Sequence, residues 1–201
     1  MTKPKATEHN SKSSDKKVLL HPLQRSILLH LATSNPQTKN ATAKAINGHY
    51  RSTWTAFTAL KEKGLITENG LKTHHGRDFP RYWLTELGTL IALHEGAKPE
   101  ALLKKTLQIY PENKDLQFLV EAIPILDPNI LDSAYLALLN NQQIELNDKI
   151  SVWFAQAQIG LSSDQKERFN AVLKRYPKAN QLVADFVKNV QKNLNELSDT
   201  L

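Results

Sequence analysis

Apolar residues at helical spacing recur along most of this chain, and one segment in its first half switches to an aromatic, β-prone composition. A first helix is predicted over residues 22 to about 32. Pro22 suits a first helical position, Leu23, Ile27, Leu28 and Leu31 form an apolar stripe, and Asn35-Pro36 stops it. A short second helix fits residues 41–46 and ends at the turn dipeptide Asn47-Gly48. A third begins near Arg51 and runs to about Lys63, with Trp54, Phe57 and Leu60 as one face and Thr53 and Lys61 beside it. Gly64 stands where a helix ends in a left-handed cap, and Leu65-Ile66 begin an extended segment. Residues 71–73 and 81–84 are the predicted strands, joined by a loop from His74 to Pro80. Thr85 is placed to cap the helix that follows.

From Ala97 onward the pattern is helical throughout, with predicted helices at 99–110, 114–125, 129–140, 148–157, 162–175 and 180–197. Pro111, Pro124, Pro128 and Pro177 punctuate them, and Ser162-Ser163-Asp164 reads as a capping region. Leu107, Tyr110-Pro111 and Leu116 are echoed by Leu173, Tyr176-Pro177 and Leu182, a pattern open to both repetition and coincidence. In the last helix Val183, Val187, Val190, Leu194, Leu197 and Leu201 alternate in steps of four and three, a heptad seam that Leu182 and Phe186 widen. Such a seam suits a homodimer, and it equally suits packing against the protein's own helical half.

Composition narrows the chemistry. The 201 residues contain no cysteine, which removes disulfides, thiolate nucleophiles and cysteine-held metal clusters. No apolar run approaches the roughly 20 residues of a membrane span, and residues 1–17 lack the apolar core of a secretory signal, so a cytoplasmic protein is expected. Phosphate-binding glycine loops, paired catalytic carboxylates and nucleophile elbows are missing from the sequence, and no enzyme or cofactor is expected. The net charge of +6 is unevenly spread: residues 1–17 carry +3, residues 18–96 carry +4 and residues 97–201 carry −1. The excess therefore sits with the three helices and strands, as in a polyanion binder that gains by releasing counterions from phosphates.

Two motifs carry a family resemblance. Lys63-Gly64-Leu65-Ile66 closes the third helix, and Pro80-Arg81-Tyr82-Trp83-Leu84-Thr85-Glu86-Leu87-Gly88 joins an aromatic strand to the next helix through Leu-Thr-x-x-Gly. Over about residues 19–96 the chain resembles winged helix-turn-helix proteins, most closely transcription regulators of the PadR type and then the MarR type. Asp78-Phe79-Pro80-Arg81 departs from the Asp-x-Arg motif usual in MarR proteins. The resemblance implies a winged helix-turn-helix of three helices and a β-hairpin wing; with the helical pattern after it, the expected fold is mainly α, that domain followed by an all-helical one. It does not extend beyond residue 96.

The third helix occupies the place of a recognition helix. Its outward face is expected to carry Arg51, Ser52, Thr55 and Ala59, small or hydrogen-bonding residues that permit close approach to a major groove, with Glu62 in the final turn. Arg51 suits a guanine edge or a phosphate, Ser52 and Thr55 suit donation to bases or phosphates, and Ala59 suits a thymine methyl. Lys72, His74, His75, Arg77 and Arg81 make the hairpin basic, with the histidines charged only when protonated. No further ligand completes a metal site around that histidine pair.

The expected organisation is a basic arm over 1–17, a DNA-binding domain over 18–96 and a helical domain over 97–201. The last would serve dimerisation through Val183, Val187, Val190, Leu194 and Leu197, a protein partner, or a small ligand near Phe118, Tyr135 and Trp153-Phe154. The expected function is a regulator of transcription that binds double-stranded DNA and associates with the nucleoid. The alternative is a winged-helix module that binds proteins within a transcription, replication or chromosome-organising assembly, which an apolar outer face on the third helix would favour.

Overall fold

The computed structural model describes residues 20–126 and 160–198, apart from the side chains at 193–194 and 196–198. The basic arm, the helices expected at 129–140 and 148–157, and the residues Tyr135, Trp153, Phe154 and Leu201 lie outside the described residues, as do the side chains of Leu194 and Leu197. What is described is mainly helical, with one two-stranded antiparallel sheet after three helices.

Helix α1 (Pro22–Thr33) begins on a reciprocal His21–Gln24 capping box and buries Ile27, Leu28, Leu31 and Ala32. Helix α2 (Lys39–Ala45) starts two residues earlier than the apolar pattern suggested, because the Thr38 hydroxyl accepts the Ala41 amide at 3.3 Å. Helix α3 (Tyr50–Glu62) buries Thr53, Ala56, Phe57 and Leu60. Its core face is thus rotated from the expected one, and Trp54 lies outside it. Steps of three residues drift by about 60° each, so Trp54 and Leu60 end about 120° apart, too wide for one buried stripe. Thr53 can be buried because its hydroxyl donates to the His49 carbonyl at 3.0 Å.

Strands β1 (Ile66–His74) and β2 (Arg77–Leu84) are longer than expected. His74 and Arg77–Pro80, expected in a loop, are paired strand residues, and the connection shrinks to His75-Gly76. Both turn residues have positive φ (48° and 70°), which matches the twist of a two-residue hairpin. A bulge places Asn69-Gly70 opposite Arg81. β2 also exchanges backbone hydrogen bonds with Gln37 through Tyr82, at 3.1 and 2.7 Å. It therefore runs between β1 and a one-residue bridge that no periodicity in the sequence revealed.

Helix α4 (Glu86–His94) is pinned to the end of α3 by Thr85. Its hydroxyl accepts the Gly88 amide at 3.0 Å, as expected of a cap, and also donates to the Gly64 carbonyl at 2.6 Å. Trp83, fully buried, donates its indole N–H to the Leu31 carbonyl at 2.8 Å. Tyr110, at the end of α5 (Pro99–Ile109), donates its hydroxyl to the Leu84 carbonyl at 2.8 Å. One continuous apolar core therefore runs from α1, α3, β2 and α4 into α5 and α6 (Lys114–Ala122), across residue 96.

The helix expected to reach residue 125 gives way at Ile123–Ile125 to a 3-10 turn, where Pro124 cannot donate to the ladder. Helix α7 (Ser163–Arg175) opens on the expected Ser162 cap, here a full capping box with Gln165. Helix α8 (Pro177–Ser198) starts three residues before its predicted beginning, with Pro177 leading it. Phe118 is core, its ring centroid 5.6 Å from that of Tyr176 and 6.5 Å from that of Phe169. Tyr110 and Tyr176, the two halves of the sequence echo, end their helices with similar backbone angles (φ −122°, ψ 60° and φ −123°, ψ 85°).

Candidate nucleic-acid interface

Once Thr53, Ala56, Phe57 and Leu60 are turned inward, the opposite side of α3 must face solvent. Arg51, Ser52, Thr55, Thr58 and Glu62 are exposed there, and Ala59 is half-buried at its edge. The threonine hydroxyls are committed as donors. Thr55 donates to the Arg51 carbonyl at 3.2 Å and Thr58 to the Trp54 carbonyl at 3.1 Å. As arranged, Thr55 therefore offers oxygen lone pairs outward, where the sequence suggested a donor. Arg51 makes no ion pair among the described residues.

The hairpin register sorts its charges by face. Residues opposite one another share a face, and side chains alternate along a strand. The pairs His74–Arg77 and Lys72–Phe79 therefore lie on one face with Arg81 and Trp83. The other face carries the pairs Thr73–Asp78 and Glu68–Tyr82, with a 2.6 Å hydrogen bond from Thr73 to Asp78. The fold thus gathers Lys72, His74, Arg77 and Arg81 on one side and leaves the hairpin acids on the other. His75 is exposed in the turn, its ring centroid 4.1 Å from that of His74.

Arg81 differs from its neighbours. It is half-buried opposite the bulge, with its guanidinium over Gly70, where a Cβ would fall 2.8 Å from Nη2. Its Nε is buried without a hydrogen-bond partner. Arg81 therefore packs on the hairpin itself and is less available to a ligand than Lys72 or Arg77.

Lys61, at the end of α3, meets Glu68 of β1 at 2.7 Å. The hydrogen bond and charge of Lys61 hold the Glu68 carboxyl below its ordinary value, and Glu68 raises Lys61 in the same way. Burial, followed by the Glu68 charge, pushes the Tyr82 phenol up. The Lys61–Glu68 pair thus cancels itself, while Arg51, Lys72 and Arg77 make no ion pair among the described residues.

One feature of the surface escaped the sequence pattern. Tyr50 and Trp54, four residues apart on α3, are 49% and 44% exposed, with ring centroids 5.5 Å apart. Lys39 of α2 places its ammonium 4.4 Å from the centroid of Trp54 and 5.3 Å from that of Tyr82. The Tyr50–Trp54 spacing was a usable signal, whereas Lys39 arrives from another helix.

In the helical half, a cleft of about 320 Å³ lies between α5, α6 with its 3-10 turn, and α7. Leu103, Val120, Ile125 and Val172 give it apolar walls, and Arg168 and Glu100 stand at its lining. Among the described residues no cluster of three or more His, Asp or Glu is placed to hold a metal, and no helix is long and apolar enough to cross a membrane. No protein-family model matches the chain, and no curated protein or solved structure gives a significant match.

Proposed function

We propose that residues 18–96 form a winged helix-turn-helix and that the chain regulates transcription by binding double-stranded DNA. The observation that carries this reading is the pairing of two surfaces: an outward face of α3 with an unpaired Arg51, and a hairpin with Lys72, His74 and Arg77 on one side. The Gln37 bridge supports it, because a one-residue strand before α2 and a hairpin after α3 is the strand order of winged helices. In this mechanism α3 enters the major groove and the hairpin holds the flanking phosphates. Binding is stoichiometric and no bond is broken. Exposed Val187 and Val190 on α8 would join two copies, whereas Val183 of the same seam is buried within its own chain.

The test is fluorescence anisotropy on mixed-sequence duplex DNA at two salt concentrations. Binding should weaken steeply as salt rises, and Arg77→Ala should flatten that dependence by about one phosphate contact. Arg51→Ala should cost ~1–3 kcal/mol on a selected site if the guanidinium reads a base. Absence of binding at low salt would refute the reading. The exposed Tyr50–Trp54 pair favours a second one, a winged-helix module that binds a protein, since exposed Trp, Tyr and Arg together are typical binding anchors.

A further inference from the structure

The aromatic pair on α3 lies outside the buried core. Trp54 is 44% exposed and Tyr50 49%, and the Tyr50 ring and the Lys39 ammonium lie 5.5 and 4.4 Å from the centroid of the Trp54 ring. A large apolar surface that stays exposed beside such partners is suited to contact. Its neighbours indicate what kind of contact. Arg51 and Trp54 are three residues apart and Trp54 and Thr58 four, so the ring is adjacent to the polar outward face of the same helix. Lys39 and Arg51 flank the ring with positive charge, and the nearest acid on β1, Glu68, is bound to Lys61.

We infer that Trp54, steadied by Lys39 and Tyr50, is a specificity determinant that reads the C5-methyl group of thymine in the major groove. This rests on the DNA-binding reading. In a groove lined by hydrogen-bonding base edges, the thymine methyl is the apolar feature against which an indole can gain. Ala59, which also suits a thymine methyl, is half-buried at the edge of α3's outward face, so the exposed indole offers the larger apolar surface. The charge around the ring suits phosphate walls on either side. Duplex DNA rich in thymine is therefore the occupant to which this edge of α3 commits.

The experiment compares the full chain on labelled poly(dA·dT) and poly(dA·dU) duplexes of equal length and salt, which differ only in the methyl. Wild type should bind the thymine duplex more tightly by roughly fourfold for each methyl covered. Trp54→Ala should bring that ratio close to one, while Arg51→Ala should weaken both duplexes and preserve it. Lys39→Ala leaves α3 untouched but releases the ring, and it should reduce the ratio even if Trp54→Ala proves unstable by circular dichroism. Equal affinity of wild type for the two duplexes overturns this inference and leaves the DNA-binding reading intact. A ratio that Trp54→Ala and Lys39→Ala both leave unchanged overturns it as well, since another group must then read the methyl. Failure of wild type to bind either duplex at low salt removes the DNA-binding reading itself and gives the aromatic pair to a protein partner.

Discussion

Gly88 is the position where local propensity and tertiary structure make opposite predictions. It is the third residue of α4, and replacing a helical glycine by alanine ordinarily gains up to ~1 kcal/mol. A Cβ built on Gly88, however, falls 1.8 Å from the Leu65 carbonyl oxygen, 2.8 Å from its carbon and 3.2 Å from the Leu65 Cα. These are backbone atoms and have no rotamer by which to move aside. To reach an ordinary carbon–oxygen contact of ~3.3 Å, α4 must withdraw by about 1.5 Å.

That withdrawal pulls on two further bonds, Thr85 N–H to the Leu65 carbonyl at 3.0 Å and the Thr85 hydroxyl to the Gly64 carbonyl at 2.6 Å. Overpacking costs ~1–3 kcal/mol, and each weakened hydrogen bond adds ~0.5–1.5. After the propensity gain, Gly88→Ala should destabilise the protein by ~1–5 kcal/mol. Urea unfolding followed by far-ultraviolet circular dichroism measures this, with an unchanged m-value as the sign that stability alone has moved. Thr85→Ala, which removes the cap without inserting a methyl, should cost less, about 1 kcal/mol. A Gly88→Ala protein as stable as wild type or more so would refute the close approach of α4 to Leu65.

Two further expectations concern the helical half. Burial pushes the phenols of Tyr110 and Tyr176 up to about 12, helped by Glu86 and Glu121 respectively, so folding favours their protonated forms. Stability should hold below the ordinary tyrosine value near 10 and fall as pH rises toward 12. The double variant Tyr110→Phe/Tyr176→Phe should lose less over that window in urea midpoints, and equal slopes would contradict the assignment. Val187→Asp/Val190→Asp should convert a dimer to a monomer in sedimentation equilibrium, and a monomeric wild type would dispose of the seam as an interface.

The elements of the fold were legible where sequence and packing agree. Pro22, Gly64, Thr85 and Ser162 each act through a local rule of helix starts and stops, and each stands where that rule placed it. The errors have a common physical source in contacts made across the chain. The length of β2 depends on partners in β1 and on the Gln37 bridge, and a hairpin of Thr, His, Arg and Phe lacks the alternation that would have announced it. Pro80 read as a loop residue, yet it pairs with Leu71 beside the bulge, a position a proline can occupy in a sheet. That α5 and α6 share a core with α1 and α4 was equally hidden, since the bonds from Trp83 to Leu31 and from Tyr110 to Leu84 join residues far apart in sequence.

The candidate site divides in the same way. Arg51, Ser52 and Thr55 could be placed outward because a helix face is fixed by spacing, and the structure leaves all three exposed. Trp54 was assigned inward from its every-third-residue spacing with Phe57 and Leu60, a spacing that drifts off a single helix face. Phe57 and Leu60 are satisfied by α1 and β2, however, and the fourth buried position goes to Thr53 because its hydroxyl can bond to its own helix. Trp54 is left 44% exposed, and that apolar area costs free energy as long as it stays in water. A cation lies over its ring and a tyrosine beside it, so the side chain already has neighbours in the free protein. Burying it against an apolar group of a partner then recovers hydrophobic free energy without the entropy of ordering a loose side chain. The same argument ranks the basic residues: Arg81 is spent on the hairpin backbone, while Arg51, Lys72 and Arg77 keep their charge available. On the DNA-binding proposal, the apolar contact of Trp54 at the edge of α3 would be separate from the charge supplied by Arg51, Lys72 and Arg77.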